Sequence, residues 1–259
     1  MENGHIVPLS VHSRTRNRKD LFFKEFVTIN LQEAKNLQSR TTGQRKSAEW
    51  FRERENRLTA SNFAKVFARK AAPNRNLMYD IFQPCDCSNK AAIEHGNHYE
   101  KVAKGLYARK MHTHTPGFKV TNTGLSINPQ WPYLGATPDG LVYDPSIHSH
   151  HGLLEIKCPL SKSTSTLDQA AMDPNFYLEK RYNKFFLKKD SAYYCQIQGQ
   201  MAITGIHWCH FCVYLADSNE MSVTNVIFDK DFWYQKLLPK LTDFYINHAL
   251  DFLVYELQR

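Results

Sequence analysis

Hydrophobic and polar positions change period several times along the chain, and each change marks an element. "LGATPDGLVYD" (134–144) and "GLLEIKCPL" (152–160) are short apolar runs bounded by turn residues, which predicts two strands joined by a loop. A Pro-Asp-Gly turn at Pro138, Asp139 and Gly140 breaks the first run, and the loop holding His148, His150 and His151 reads as a solvated tip. "HWCHFCVYL" (207–215) reads as a third strand.

Between these runs the period becomes helical. Asn30 with Glu33 forms a capping-box signature opening a helix over "NLQEAKNLQ". Farther on, Phe63, Val66 and Phe67 recur at helical spacing, with Lys65 and Arg69 on another face and Ser61 as the expected N-cap. In "AAIEHGNHYEKVAKGLYARK" (91–110), Ile93, Tyr99, Val102, Ala103 and Leu106 form an expected inward stripe, and Glu94 and Glu100 ride on the same helix. "SAYYCQIQGQMAITG" (191–205) puts Gln196 and Gln200 on one face and Ile197 and Met201 on another, the pattern of an amphipathic helix with its glutamines outward. The tract 231–257 is helical in character.

Strands mixed with helices predict an α/β fold, a mixed β-sheet flanked by helices. No Gly/Ser/Pro-rich linker or repeat interrupts it, so residues 30–259 are expected to form a single domain. Residues 1–29, polar at first and carrying Arg14, Arg16, Arg18 and Lys19, are expected to be a basic, flexible arm.

Composition narrows the function classes. A formal charge of +8 with a pI near 9.1 points to an anionic partner, nucleic acid ahead of membrane because no basic amphipathic stretch carries a lipid-facing stripe. The sequence has no run of about 18 apolar residues, and Met1 to Asp20 lacks a signal-peptide core, so an intracellular protein, nuclear or cytoplasmic and not secreted, is expected. The six cysteines, dispersed through a large domain, suit reduced thiols. A zinc site would pair Cys85 and Cys87 with Cys209 and Cys212, helped by His207 or His210, but residues three apart on a strand face opposite sides.

The candidate chemistry lies on the second apolar strand. Period-2 geometry puts Glu155 and Lys157 on one face and Leu154, Ile156 and Cys158 on the other. Burying a carboxylate and an ammonium costs several kcal/mol, roughly, unless they are paired or bind a metal. An ion pair at a sheet edge would satisfy both and leave Asp139 unexplained. The alternative is that Asp139, Glu155 and the backbone carbonyl of Ile156 converge on a hard cation, magnesium or manganese, with Lys157 beside it. Such a set suits phosphodiester hydrolysis.

Pro138-Asp139, then Glu155-x-Lys157, resembles the PD-(D/E)XK nuclease motif. "TAS" (59–61), Gly96-x-x-x-Glu100, "GATPDGL", "LLEIKCP" and "SAYYCQIQGQMAITG" follow the order found in the YqaJ-type viral recombinase, or lambda-exonuclease-like, family. The resemblance spans roughly residues 41 to 215 and implies a restriction-endonuclease-like fold. It also implies metal ligation by Asp139 and Glu155, assistance to the attacking water by Lys157, a further helix-borne acid at Glu100, and Gln196 beside the active site. Arg54 and Ser61 match positions that bind a DNA 5′-phosphate, with Arg57 and Arg69 as helpers. Thr137 stands where many relatives have serine.

The implied activity is a Mg2+-dependent exonuclease, with Mn2+ as substitute and two ions per site, degrading double-stranded DNA 5′-to-3′ from a phosphorylated end. Alternatives are a structure-selective endonuclease with the same residues, an inactive DNA-binding module, and a zinc-dependent interaction protein. Analogy adds a single-strand annealing protein as partner. The family admits a homo-oligomer, but no oligomer seam is legible.

Overall fold

The computed structural model describes residues 18–83 and 90–257. Its centre is a five-stranded mixed sheet in the order β10-β9-β6-β5-β2, built from β2 (Lys119–Thr121), β5 (Gly140–Tyr143), β6 (His151–Lys157), β9 (Trp208–Leu215) and β10 (Glu220–Ile227). Within this sheet, among the described residues, the β6–β9 pair alone is parallel, with Glu155 in register with Phe211. A three-stranded sheet, β1 (Leu58–Thr59), β4 (Leu134–Ala136) and β3 (Ser126–Ile127), lies in the order β1-β4-β3.

Because side chains alternate across a strand, the two faces of β6 and β9 bury different sets. Leu153, Cys209, Phe211 and Val213 pack with Ile197 and Met201 of helix α7 (Ala192–Thr204). Leu154, Ile156 and Cys212 pack with Ala103 and Tyr107 of helix α5 (Lys90–His114). The sheet is therefore covered on both sides, as expected for this fold class. Cys209 and Cys212 stand on opposite faces, in separate core clusters; Cys85 and Cys87 lie outside the described residues.

α1 (Leu31–Arg40) opens on the expected capping box, Asn30 with Glu33. α2 (Ala48–Glu55) leads into β1, and the short α3 (Phe63–Phe67) precedes α4 (Arg75–Phe82). The C-terminal tract runs from Phe232 to Glu256 as alternating α- and π-helical turns, burying Trp233, Leu241, Tyr245 and Leu253 against α3, α4 and β4. β7 (Leu178–Arg181) and β8 (Lys184–Leu187) form a separate antiparallel hairpin.

Three expectations change. The flexible-arm boundary at residue 29 is too late: the chain is helical from 18 to 27, where Phe22 and Val27 enter the core. Within α5 the buried residues are Ala103 and Tyr107, with Tyr99 and Leu106 packed part-buried against the same cluster, while Ile93 and Val102 are exposed; Val102 is turned about 100° round the helix from Ala103. α7 is not amphipathic: Tyr194 through Ile203 are all buried, glutamines included, because the helix is enclosed between the sheet and α3. Residues 1–17, most of the expected arm, lie outside the described region.

Candidate active site

The site begins where β5 and β6 diverge. Asp139 precedes β5, and its backbone N–H donates to the Leu154 carbonyl at 3.0 Å. In return the Ile156 N–H donates to Asp139 Oδ2 at 2.6 Å, fixing the carboxylate beside the Glu-x-Lys stretch of β6. The turn is held from outside as well. The Gln44 side-chain amide donates to the carbonyls of Thr123 (3.0 Å) and Pro138 (3.3 Å), and the Trp50 indole N–H donates to Thr137 Oγ1 at 3.0 Å. Threonine keeps the hydroxyl that serine offers there.

Glu155 is 1% exposed, so its charge needs partners. It has three. Lys157 Nζ donates to Oε1 at 2.6 Å, Gln196 Nε2 to the same oxygen at 2.6 Å, and Gln200 Nε2 to Oε2 at 2.8 Å. The ammonium of Lys157 also sits 4.8 Å from the ring centre of Tyr193. Burial pulls the Lys157 pKa down, but Glu155 and Asp139 outweigh it and hold the group above its ordinary value. Asp139 is pushed well up by burial and then by the charges of Glu155 and Glu100. Glu100, on α5, is raised by burial and by Glu155. Acids crowded with too little positive charge form a hard-oxygen donor set whose chemistry suits a divalent cation. Among the described residues no three His, Cys, Asp or Glu side chains are gathered to enclose a metal; both Glu155 oxygens already accept from Lys157 and the two glutamines.

A cavity of about 530 Å³ opens onto this cluster, lined by Arg45, Glu100, Ile156, Lys157, Tyr177 and Tyr193 among others. Arg54, on α2, is half-buried with its guanidinium 4.1 Å from the Trp50 ring centre. Burial, then the neighbouring charge of Arg45, lowers its pKa to about 10. It makes no carboxylate ion pair among the described residues.

The other expected phosphate contacts separate from it. Arg57 is buried and structural: it donates to the carbonyls of Pro132 (2.9 Å), Val27 (3.0 Å) and Glu53 (2.9 Å) and pairs with the Glu53 carboxylate at 2.7 Å. Arg69 lies beyond the C-terminal end of α3, bonded to the Ala72 carbonyl and lining a different cavity with Lys240, Asp243 and His248. Ser61 is exposed but caps nothing. It sits inside a 3-10 turn with its hydroxyl 3.2 Å from Thr59 Oγ1, and the residue before α3 is Asn62, which makes no side-chain cap.

Sequence reasoning missed Gln200, Gln44, Arg45 and Lys104. Lys104 Nζ donates to the Asp139 carbonyl at 2.5 Å and to Asn122 Oδ1 at 2.8 Å, and desolvation lowers its pKa. Its signal was available: it stands four residues after Glu100, one helical turn along the same face.

The family model for the YqaJ-like viral recombinase domain matches residues 49–207, which include Arg54, Glu100, Asp139, Glu155, Lys157 and both glutamines. The chain belongs to this family. An alkaline exonuclease, LHK-Exo, from Laribacter hongkongensis superposes with a TM-score of 0.57 at 29% identity, covering 82% of this chain and 97% of that one. The same enzyme in complex with dAMP gives 0.58 at 30%, with the same coverage. The shutoff and exonuclease protein of Kaposi's sarcoma-associated herpesvirus, at 12% identity and a TM-score of 0.56, covers 98% of this chain and 88% of its own and shares the fold. Among curated proteins none matches. The match thus ends just before β9, although β9 pairs with β6 in the central sheet, and the C-terminal helical tract that completes the core also lies outside it.

Proposed function

We propose that this chain is a DNA exonuclease hydrolysing phosphodiester bonds of double-stranded DNA from a 5′-phosphorylated end, 5′-to-3′, with magnesium as cofactor and manganese as substitute. The observation that carries the reading is the Glu155 carboxylate, buried among Lys157, Gln196 and Gln200 and one residue from the Ile156 N–H that fixes Asp139. Membership in the YqaJ-like family supports it, as does the likeness to an alkaline exonuclease crystallised with dAMP, a mononucleotide of the kind exonucleolysis releases.

Asp139, Glu155, the Ile156 carbonyl and Glu100 are the oxygen donors that would hold up to two ions. Bound there, a divalent cation neutralises phosphate charge and lowers the pKa of a water. Asp139 is oriented by the Ile156 N–H, and Glu155 by its amide donors, so neither has to reorganise when substrate arrives. Lys157 carries positive charge to the edge of the cavity, where it orients the attacking water and stabilises the charge developing on the phosphate. Arg54, held on Trp50 and with no carboxylate ion pair among the described residues, supplies a planar fork for the terminal phosphate. A single-strand annealing protein is the partner class that would receive the product strand. Digestion of linear and covalently closed circular duplex tests the reading: linear DNA should be consumed and closed circles left intact, whereas cut circles would identify an endonuclease.

A further inference from the structure

The hairpin of β7 and β8 lies outside the cluster just described. Its paired residues are Leu178 with Leu187, Glu179 with Phe186, Lys180 with Phe185 and Arg181 with Lys184. Leu178, Phe185 and Leu187 pack on the core, so alternation sends Arg181 and Lys184 to the other face. From Leu178 to Lys189 the sequence has five Lys/Arg and one Glu. Lys180, Arg181 and Lys189 make surface pairs with Asp168, Glu179 and Asp229, and such exposed pairs contribute little and exchange readily for a phosphate.

The tip carries two non-glycine residues at positive φ, Tyr182 at 48° and Asn183 at 61°. That turn favours Asn-Gly, so a tyrosine at its first position is an unfavourable choice for the backbone. Tyr182 as a whole is 97% exposed. An aromatic held out by a strained two-residue turn and flanked by cations has the form of a stacking platform for a base.

The hairpin also connects to the candidate active site. A groove of about 790 Å³ runs between it and the start of α7, lined among others by Arg181, Lys188 and Lys189, by the carboxylates of Glu179 and Asp190, and by Tyr177 and Tyr193. The two tyrosines also line the cavity of Glu100 and Lys157.

We propose that the β7–β8 hairpin binds single-stranded DNA, with Tyr182 stacking on an unpaired base and the hairpin cations following the backbone along the groove toward the active site. A base offers its face to a side chain only when unstacked, which selects a single strand over duplex. The identification of DNA rests on the nuclease reading; the binding surface rests on the hairpin itself.

The test is fluorescence anisotropy of a labelled single-stranded oligonucleotide, and of a duplex closed by hairpin caps at both ends, in EDTA. Tyr182→Asn suits the turn better and should leave the melting temperature unchanged or raised. It should weaken single-strand binding about tenfold, the scale of one lost base stack, while duplex affinity stays within about twofold. Arg181→Glu with Lys184→Glu should reduce the salt slope of single-strand binding by about 1.4, roughly 0.7 per lost phosphate contact. Wild-type single-strand affinity in Tyr182→Asn, or equal losses on the capped duplex, would overturn the proposal. Failure of the wild-type protein to degrade linear duplex would instead overturn the nuclease reading, a separate result from a separate assay.

Discussion

The side-chain amide of Gln200 donates to Glu155 Oε2 at 2.8 Å, on the oxygen opposite the one shared by Gln196 and Lys157. Both carboxylate oxygens are thereby fixed from one helix face. Gln200→Leu keeps the volume but removes the donor. Hydrolysis should fall by about 10- to 100-fold, the usual scale for a partner that orients a ligand. The Glu155 oxygen left without its donor should also cost roughly 1–3 kcal/mol of stability, while DNA binding stays close to wild type; steady-state digestion by the folded protein beside calorimetry checks this, and undiminished specific activity would remove Gln200 from the site.

Gly199 lets α7 approach α3: a Cβ there would lie 2.3 and 2.4 Å from two ring carbons of Phe63. Gly199→Ala should cost roughly 1–3 kcal/mol by overpacking. The displaced helix also carries Gln196 and Gln200, so activity should drop beyond the loss of folded protein. Normal specific activity in the folded fraction would show that the glutamines tolerate the shift.

Arg54 and Arg57 stand three residues apart in "RERENR" and are indistinguishable there by type. The structure separates them. Arg54→Ala should lower digestion of 5′-phosphorylated duplex far more than of 5′-hydroxyl duplex, with little change in stability. Arg57→Ala should instead destabilise the fold by about 3 kcal/mol, near 10 °C in melting temperature, since it strips a buried network of its cation. Equal losses on both substrates for Arg54→Ala would make it a general backbone contact.

His210 lies on β9 beneath α5 with its Nδ1 2.7 Å from the Tyr107 hydroxyl, and burial lowers its pKa to about 4. The unfolded chain therefore binds a proton between the usual histidine value and about 4 that the folded chain does not. Stability should fall as pH drops through that window, by up to about 1.4 kcal/mol per pH unit from this group, and be insensitive to it above. Denaturant titrations from pH 7 to pH 4 should show a shallower fall in His210→Gln. An unchanged slope would assign the acid sensitivity elsewhere.

The legible parts of the fold are those where a period meets one interface. Glu155 and Lys157 alternate against Leu154 and Ile156, and Cys209 and Cys212 take opposite faces, because each side of a covered strand packs on a different helix. α7 departs from its amphipathic pattern because a helix enclosed on all sides needs no apolar stripe, and its glutamines are inside to serve Glu155. Ser61 precedes a helix in sequence, yet a 3-10 turn moves the boundary to Asn62. Gln44 reaches the Pro138 carbonyl across 94 residues, and no local pattern encodes such a contact.

The central measurement is a time course of end-labelled linear duplex digested by the wild-type protein and by Glu155→Gln, with magnesium and with EDTA. Progressive release of mononucleotides by the wild type in magnesium, no release in EDTA, and none by Glu155→Gln at wild-type DNA affinity is the expected result. Release by Glu155→Gln at the wild-type rate, or by the wild type in EDTA, would contradict a metal-assisted hydrolysis centred on Glu155.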